Sequence, residues 1–110
     1  MSKFLIVFAV LVLAAGEPAT AAPAKTESAA QADRDAANIF NSTCGWCHQG
    51  GGRAAGGIGP KLMDSTRGDD FILNRIRNGS SGKMPAFGAS FSDAQIDALL
   101  RYIRNLKPEN

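Results

Sequence analysis

A chain of 110 residues with a formal net charge of +2 suits one small domain, and it has no basic tract of the kind that binds nucleic acid. Two cysteines and one histidine are too few for a zinc site, which needs about four ligands. A domain this small rarely stabilises itself with an apolar core alone, so we expect an additional stabilising element.

The N-terminus has the pattern of a secretory signal peptide. Lys3 precedes the apolar run Phe4 to Ala15, and Ala19-Thr20-Ala21 fits an Ala-x-Ala cleavage site. The run is shorter than the roughly 20 apolar residues of a membrane span. We predict a signal peptide at residues 1–21, with alternative cleavage sites between residues 16 and 24. The location would then be periplasmic, without stable insertion in the membrane.

Small and polar residues with no large apolar side chain fill residues 22–31, which predicts a flexible leader before a folded domain at 32–110. A first helix is predicted from Gln31 to Ser42, with Asp33 or a neighbour near its start. Ala36, Ala37 and Phe40 would lie on one face of this helix.

Two more helices are predicted after a loop in which six of the ten residues 50–59 are glycine. The second would begin at Asp69 or Asp70, run through Arg77 and end at Gly79. The third would begin after Ser92, because Ser92 and Gln95 match a capping box. Its apolar stripe consists of Ile96, Leu99, Leu100, Ile103 and Leu106. No strand pattern occurs, so the predicted class is all-α.

The stretch Cys44-Gly45-Trp46-Cys47-His48 has the Cys-x-x-Cys-His spacing that attaches a c-type haem. Each thiol can form a thioether with one vinyl group, and the histidine can bind the iron as its proximal ligand. Two other interpretations of the cysteines remain open on sequence. They could form a thiol–disulfide redox pair, although its usual βαβ context is missing, or a structural disulfide.

His48 is the only histidine, so a second axial histidine is excluded and the candidates are the three methionines; without any of them the iron would be five-coordinate and open to small ligands. Met1 would leave with the signal peptide, so Met63 and Met84 remain. Met84 stands in a loop and precedes Pro85, which limits backbone freedom. Met63 follows His48 by only fifteen residues and is expected on the proximal side. Either methionine could also be core filling.

Four separate pieces of the chain together resemble the small soluble class I cytochromes c of bacteria, which carry one haem. The pieces are Ala36 with Phe40 before the attachment motif, Gly57-Ile58-Gly59-Pro60, Met84-Pro85-Ala86-Phe87, and Leu99 with Tyr102. The resemblance implies a class I cytochrome c fold with three to four helices wrapped around one covalently bound haem. Within the family, the chain is most similar to cytochromes that serve quinoprotein alcohol dehydrogenases and to small photosynthetic cytochromes.

The resemblance also implies roles for individual residues. Cys44 and Cys47 would bind the haem covalently, and His48 and Met84 would be the axial iron ligands. The carbonyl of Pro60 would accept the second N–H of the proximal imidazole. Ala36 stands where the family has glycine at the crossing of the first and last helices, which predicts slightly wider packing there.

The function expected from this site is one-electron transport in the periplasm, with no catalytic residues and no enzymatic activity. Partners would be redox proteins, either a dehydrogenase such as a quinoprotein or a terminal oxidase, and the chain would act as a monomer. The alternative is a haem-based ligand binder or peroxidase-like protein in which Met84 dissociates readily. Six basic residues against three acidic ones between residues 53 and 83 would form either a solvated surface or a docking surface for an acidic partner.

Overall fold

The computed structural model describes Gly16 and residues 28–110. The predicted signal peptide, apart from Gly16, and residues 22–27 of the predicted leader lie outside the described residues. Within them, three α-helices are present: α1 at Ala29–Ile39, α2 at Asp69–Asn78 and α3 at Asp93–Arg104. A π-helical turn at Phe40–Cys44 extends α1, and a 3-10 turn lies at Gly50–Gly52. The only strand-like pairing in this part of the chain is one isolated bridge, so the all-α prediction is confirmed.

Helix α1 begins earlier than the sequence pattern predicted. The Ser28 hydroxyl caps it by accepting a hydrogen bond from the Gln31 amide at 3.2 Å. Residues 29–31, predicted as leader, are therefore helical, and alanine at two of these positions favours that state. Asp33 has no capping role. It forms an ion pair with Arg101 of α3, with 2.7 Å between the two side chains.

Helix α1 packs against α3 through small residues. Ala32, Ala36 and Ala98 form a buried cluster, and their short side chains allow the two helices to approach closely. Beyond this cluster, the Phe40 ring lies 4.8 Å from the Tyr102 ring, centroid to centroid. The predicted pairing of the first and last helices is therefore present, with Ala36 only 2% exposed at their contact.

The main core lies where α2 and the end of α1 meet α3. Its buried members are Phe40, Ile72, Ile76, Ile96, Leu99 and Ile103. Helix α3 begins with the predicted capping box between Ser92 and Gln95. Helix α2 differs from the prediction at its start: Gly68 is the N-cap residue, and the two aspartates occupy the first turn. Their negative charges interact favourably with the positive end of the helix dipole, although neither side chain caps the helix.

Candidate haem site

The attachment motif follows directly from the π-helical turn at the end of α1. The amide of Gly45 donates to the carbonyl of Phe40 five residues earlier at 2.8 Å, and the His48 amide donates to the Cys44 carbonyl at 2.9 Å. Phe40, which is 1% exposed, anchors this turn in the core. The local backbone therefore gives Cys44, Cys47 and His48 fixed positions relative to the crossing of α1 and α3.

The two cysteine sulfurs are half-buried and are not paired with each other. Burial, with a smaller electrostatic contribution from the neighbouring Cys47, raises the pKa of the Cys44 thiol to about 11. A nucleophilic thiol for disulfide exchange needs the opposite shift, because the thiolate is the reactive species. This environment therefore disfavours the thiol–disulfide interpretation. It suits a sulfur that carries no charge, as in a thioether.

His48 is 8% exposed and has a specific partner for one ring nitrogen. Its Nδ1 lies 2.8 Å from the carbonyl oxygen of Pro60, which can only accept. Nδ1 therefore carries the proton, and the lone pair of Nε2 is left to bind a metal. A hydrogen bond of this kind orients a ligating imidazole and strengthens it as a donor. The hydrogen bond that the resemblance implied between these two residues is present.

Glycine at position 59 is required by the close approach of its backbone to the His48 ring. A Cβ at this position would lie 2.6 Å from Cε1 and 2.8 Å from Nδ1 of His48. The Gly59 amide also donates to the Cys47 carbonyl at 2.8 Å. The structure shows that Gly59 makes its close approach to the imidazole of His48.

The remainder of the 50–63 loop is tied to the same helix crossing. Gly52 has a φ of 90° and is buried, and its carbonyl accepts hydrogen bonds from the amides of Leu62 and Met63 at 2.8 and 3.0 Å. The Tyr102 hydroxyl donates to the carbonyl of Gly51 at 3.1 Å. Sequence reasoning missed this last bond, since a tyrosine in an apolar helix face gives no indication of a partner 51 residues away.

Met84 lies in a separate loop that is bonded back to α2. Its amide and carbonyl are both bonded to Ser80, at 2.9 and 2.8 Å, and the Phe87 amide donates to the Ile76 carbonyl at 2.9 Å. Gly79 turns the chain out of α2 with a φ of 67°. The Met84 side chain is half-buried and packs against the main core. The loop therefore fixes the backbone of Met84 and leaves its side chain against the core.

The donor set fits a haem better than a bare metal ion. No cluster of three or more His, Cys, Asp or Glu side chains suitable for a metal occurs among residues 28–110. A porphyrin supplies four equatorial nitrogens, so the protein needs to provide only the two thiols for attachment and one or two axial ligands. The sulfurs of Cys44 and Cys47 and Nε2 of His48 meet that requirement.

Fold and site together define a small all-α domain in which Cys44, Cys47 and His48 are the residues that would hold one covalently attached haem. Residues 31–103 match the family model described as cytochrome c oxidase, cbb3-type, subunit III. The chain is 30% identical over 83 residues to cytochrome c6 of Synechococcus sp., covering 69% of this chain and 71% of that protein. It is 33% identical over 88 residues to cytochrome c6 of Gracilaria tenuistipitata, covering 72% and 77%.

A further relative is the cbb3-type cytochrome c oxidase subunit FixP of Azorhizobium caulinodans, 36% identical over 91 residues. That match covers 78% of this chain and 30% of the longer FixP protein. The chain belongs to the family of c-type cytochromes, as a monohaem class I domain. It carries one haem bound covalently through Cys44 and Cys47, with His48 in the motif, and it is an electron carrier, not an enzyme.

Proposed function

We propose that this cytochrome is a periplasmic one-electron carrier with His48 and Met84 as the axial iron ligands. The observation that carries the proposal is the bond between His48 Nδ1 and the Pro60 carbonyl, because it directs Nε2 toward the metal. Met84 is the better candidate for the opposite side. Met63 belongs to the loop that holds Pro60, whereas Met84 belongs to a different loop anchored on α2.

A complete pair of ligands suits electron transfer. The haem supplies an iron that cycles between the ferrous and ferric states, and methionine ligation raises its reduction potential. The Ser80 bonds keep Met84 in place, so the protein reorganises little when the charge on the iron changes. Burial of the apolar core residues beside the loop lowers the local dielectric and favours the less charged ferrous state.

The redox partners are proposed to be periplasmic or membrane-bound proteins. The name of one relative states that it is a subunit of a cbb3-type oxidase, which supports a terminal oxidase as the acceptor. A dehydrogenase, for example a quinoprotein, would be the donor. The signal-peptide pattern supports export. None of the helices in the described residues has the length and apolar character needed to cross a membrane.

The test compares Met84→Ala with Met63→Ala in the exported protein. We expect Met84→Ala to abolish the far-red absorption band of a methionine–iron bond in the ferric protein and to allow prompt carbon monoxide binding in the ferrous protein. Met63→Ala should retain the band, because both substitutions remove a half-buried thioether but only one removes a ligand. Loss of the band in Met63→Ala alone would reassign the ligand. Prompt carbon monoxide binding by the wild type would favour the ligand-binding alternative.

A further inference from the structure

Arg53 connects the glycine-rich turn of the 50–63 loop to the C-terminal segment that follows α3. Its Nε donates to the carbonyl of Lys107 at 2.6 Å, and its Nη1 lies 3.4 Å from the carbonyl of Gly50. The bond to Lys107 joins residues 54 positions apart in the chain. A guanidinium that donates to a carbonyl forms a charge-assisted hydrogen bond, which is stronger than a bond between neutral groups. Arg53 therefore fixes the beginning of the loop to the end of α3.

The turn that Arg53 contacts has little rigidity of its own. Gly50, Gly51 and Gly52 have positive φ angles of 62°, 62° and 90°. Glycine loses more conformational freedom on folding than any other residue, so three in succession depend on contacts from outside the turn. The guanidinium packs directly on this backbone, because a Cβ at Gly51 would lie 2.7 Å from Nη1 of Arg53. The Tyr102 hydroxyl, which donates to the Gly51 carbonyl, is another contact of this kind.

The same turn is bonded to the part of the loop that reaches the proximal imidazole. The carbonyl of Gly52, which precedes Arg53 in the chain, accepts a hydrogen bond from the Leu62 amide at 2.8 Å. Pro60 lies two residues before Leu62, and its carbonyl oxygen is 2.8 Å from Nδ1 of His48. A movement of the glycine turn would therefore move the acceptor that orients the His48 ring.

We propose that Arg53 is a positioning residue for the proximal histidine: by fixing the glycine turn, it keeps the Pro60 carbonyl within hydrogen-bond distance of the imidazole. This inference rests on the proposed function, because the orientation of the His48 ring matters only if Nε2 binds the iron. Without the guanidinium, the turn loses its bond to the end of α3, and the hydrogen bond to Nδ1 is broken for a larger fraction of the time. The imidazole is then a weaker donor, which favours the ferrous state.

The direct test measures how fast the Nδ1 proton of His48 exchanges with solvent in the ferrous holoprotein. His48 is the only histidine, so isotope-labelled histidine gives a ring signal that needs no further assignment in the NMR spectrum. Arg53→Gln should speed this exchange by about tenfold, which corresponds to about 1.4 kcal/mol of lost protection. The matched control is Arg101→Gln, which removes an arginine that pairs with Asp33 at 2.7 Å. Its exchange rate should equal that of the wild type.

The reduction potential separates positioning from simple electrostatics. Loss of a cation by itself favours the more positive ferric state and lowers the potential, whereas a weaker imidazole donor raises it. At about 1 M salt the Debye length is about 3 Å, so the first effect is largely screened. Under these conditions Arg53→Gln should shift the redox equilibrium toward the ferrous state by about threefold, or about 30 mV. Tyr102→Phe, which loosens the same turn without a change of charge, should shift it in the same direction.

Glu109→Gln should leave both measurements unchanged. The ion pair of Arg53 with Glu109 is 3.7 Å long and the Glu109 side chain is 78% exposed, so this pair contributes little. Wild-type exchange and potential in Arg53→Gln would overturn the proposal, as would a lower potential at high salt. Equal changes in Arg101→Gln would also overturn it, because the effect would then be one of general stability. Absence of a reversible one-electron couple in the wild type would instead refute the proposed function.

Discussion

Replacing Gly59 by alanine should displace the proximal histidine. The new Cβ would lie 2.6 Å from Cε1 of His48, against an ordinary carbon contact of about 3.5–4.0 Å, so the ring must move by about 1 Å. A movement of that size stretches the 2.8 Å contact between Nδ1 and the Pro60 carbonyl beyond hydrogen-bond range. Overpacking costs about 1–3 kcal/mol and the lost bond about 0.5–1.5 kcal/mol. We expect the free energy of unfolding to fall by about 2–4 kcal/mol.

The same substitution should raise the reduction potential. An imidazole that no longer donates to a carbonyl is a weaker donor, and this destabilises the ferric state more than the ferrous state. If the ferric state is destabilised by about 1 kcal/mol more than the ferrous state, the reduction potential of this one-electron couple rises by about 40 mV. Voltammetry measures the potential, and denaturant unfolding followed by circular dichroism measures the stability.

Gly68→Ala is the matched control for the potential. Its Cβ would meet nothing within 4 Å, and its φ is not positive. Its effect should be limited to a modest loss of stability, because Gly68 is the N-cap of α2 and alanine is a poorer cap. If Gly59→Ala keeps the wild-type potential and unfolds like the wild type, the steric contact with His48 does not constrain the imidazole, and the reasoning is wrong.

Three other substitutions should lower stability by amounts that depend on the contact removed, and thermal unfolding of the holoprotein measures each one. Tyr102→Phe should lower the free energy of unfolding by about 0.5–1.5 kcal/mol because the hydrogen bond to the Gly51 carbonyl is lost. An unchanged melting temperature would mean that water fully replaces this bond. Ser92→Ala should cost about 1 kcal/mol by removing the capping box with Gln95, and Ser92→Thr should recover most of it. Gly52→Ala should lower the free energy of unfolding by more than either of these, about 1–3 kcal/mol. The reason is that the φ of Gly52 is 90° and that a Cβ there would lie 3.0–3.1 Å from core side chains. A smaller loss of stability than for Ser92→Ala would contradict the packing argument.

Local signals predicted the helices well where the deciding contacts lie within a few residues. The capping box at Ser92 and the 3.6-residue stripe of α3 are interactions inside one helix, so sequence spacing was sufficient to identify them. The start of α1 was predicted too late because a short alanine-rich run has no apolar periodicity. The Ser28 cap, a contact within three residues that the sequence reasoning missed, and the alanines at positions 29 and 30 favour the helical state, and the ion pair between Asp33 and Arg101, 68 residues apart, ties the helix to α3.

The attachment site could be inferred from the sequence because its geometry is local. Two sulfurs three residues apart and an adjacent imidazole match the edge of one porphyrin, and this match does not depend on residues elsewhere in the chain. The environment of that imidazole depends on residues that are distant in sequence. The packing of α1 on α3, together with the Tyr102 bond to Gly51, places the 50–63 loop so that Pro60 reaches Nδ1 and Gly59 reaches the ring.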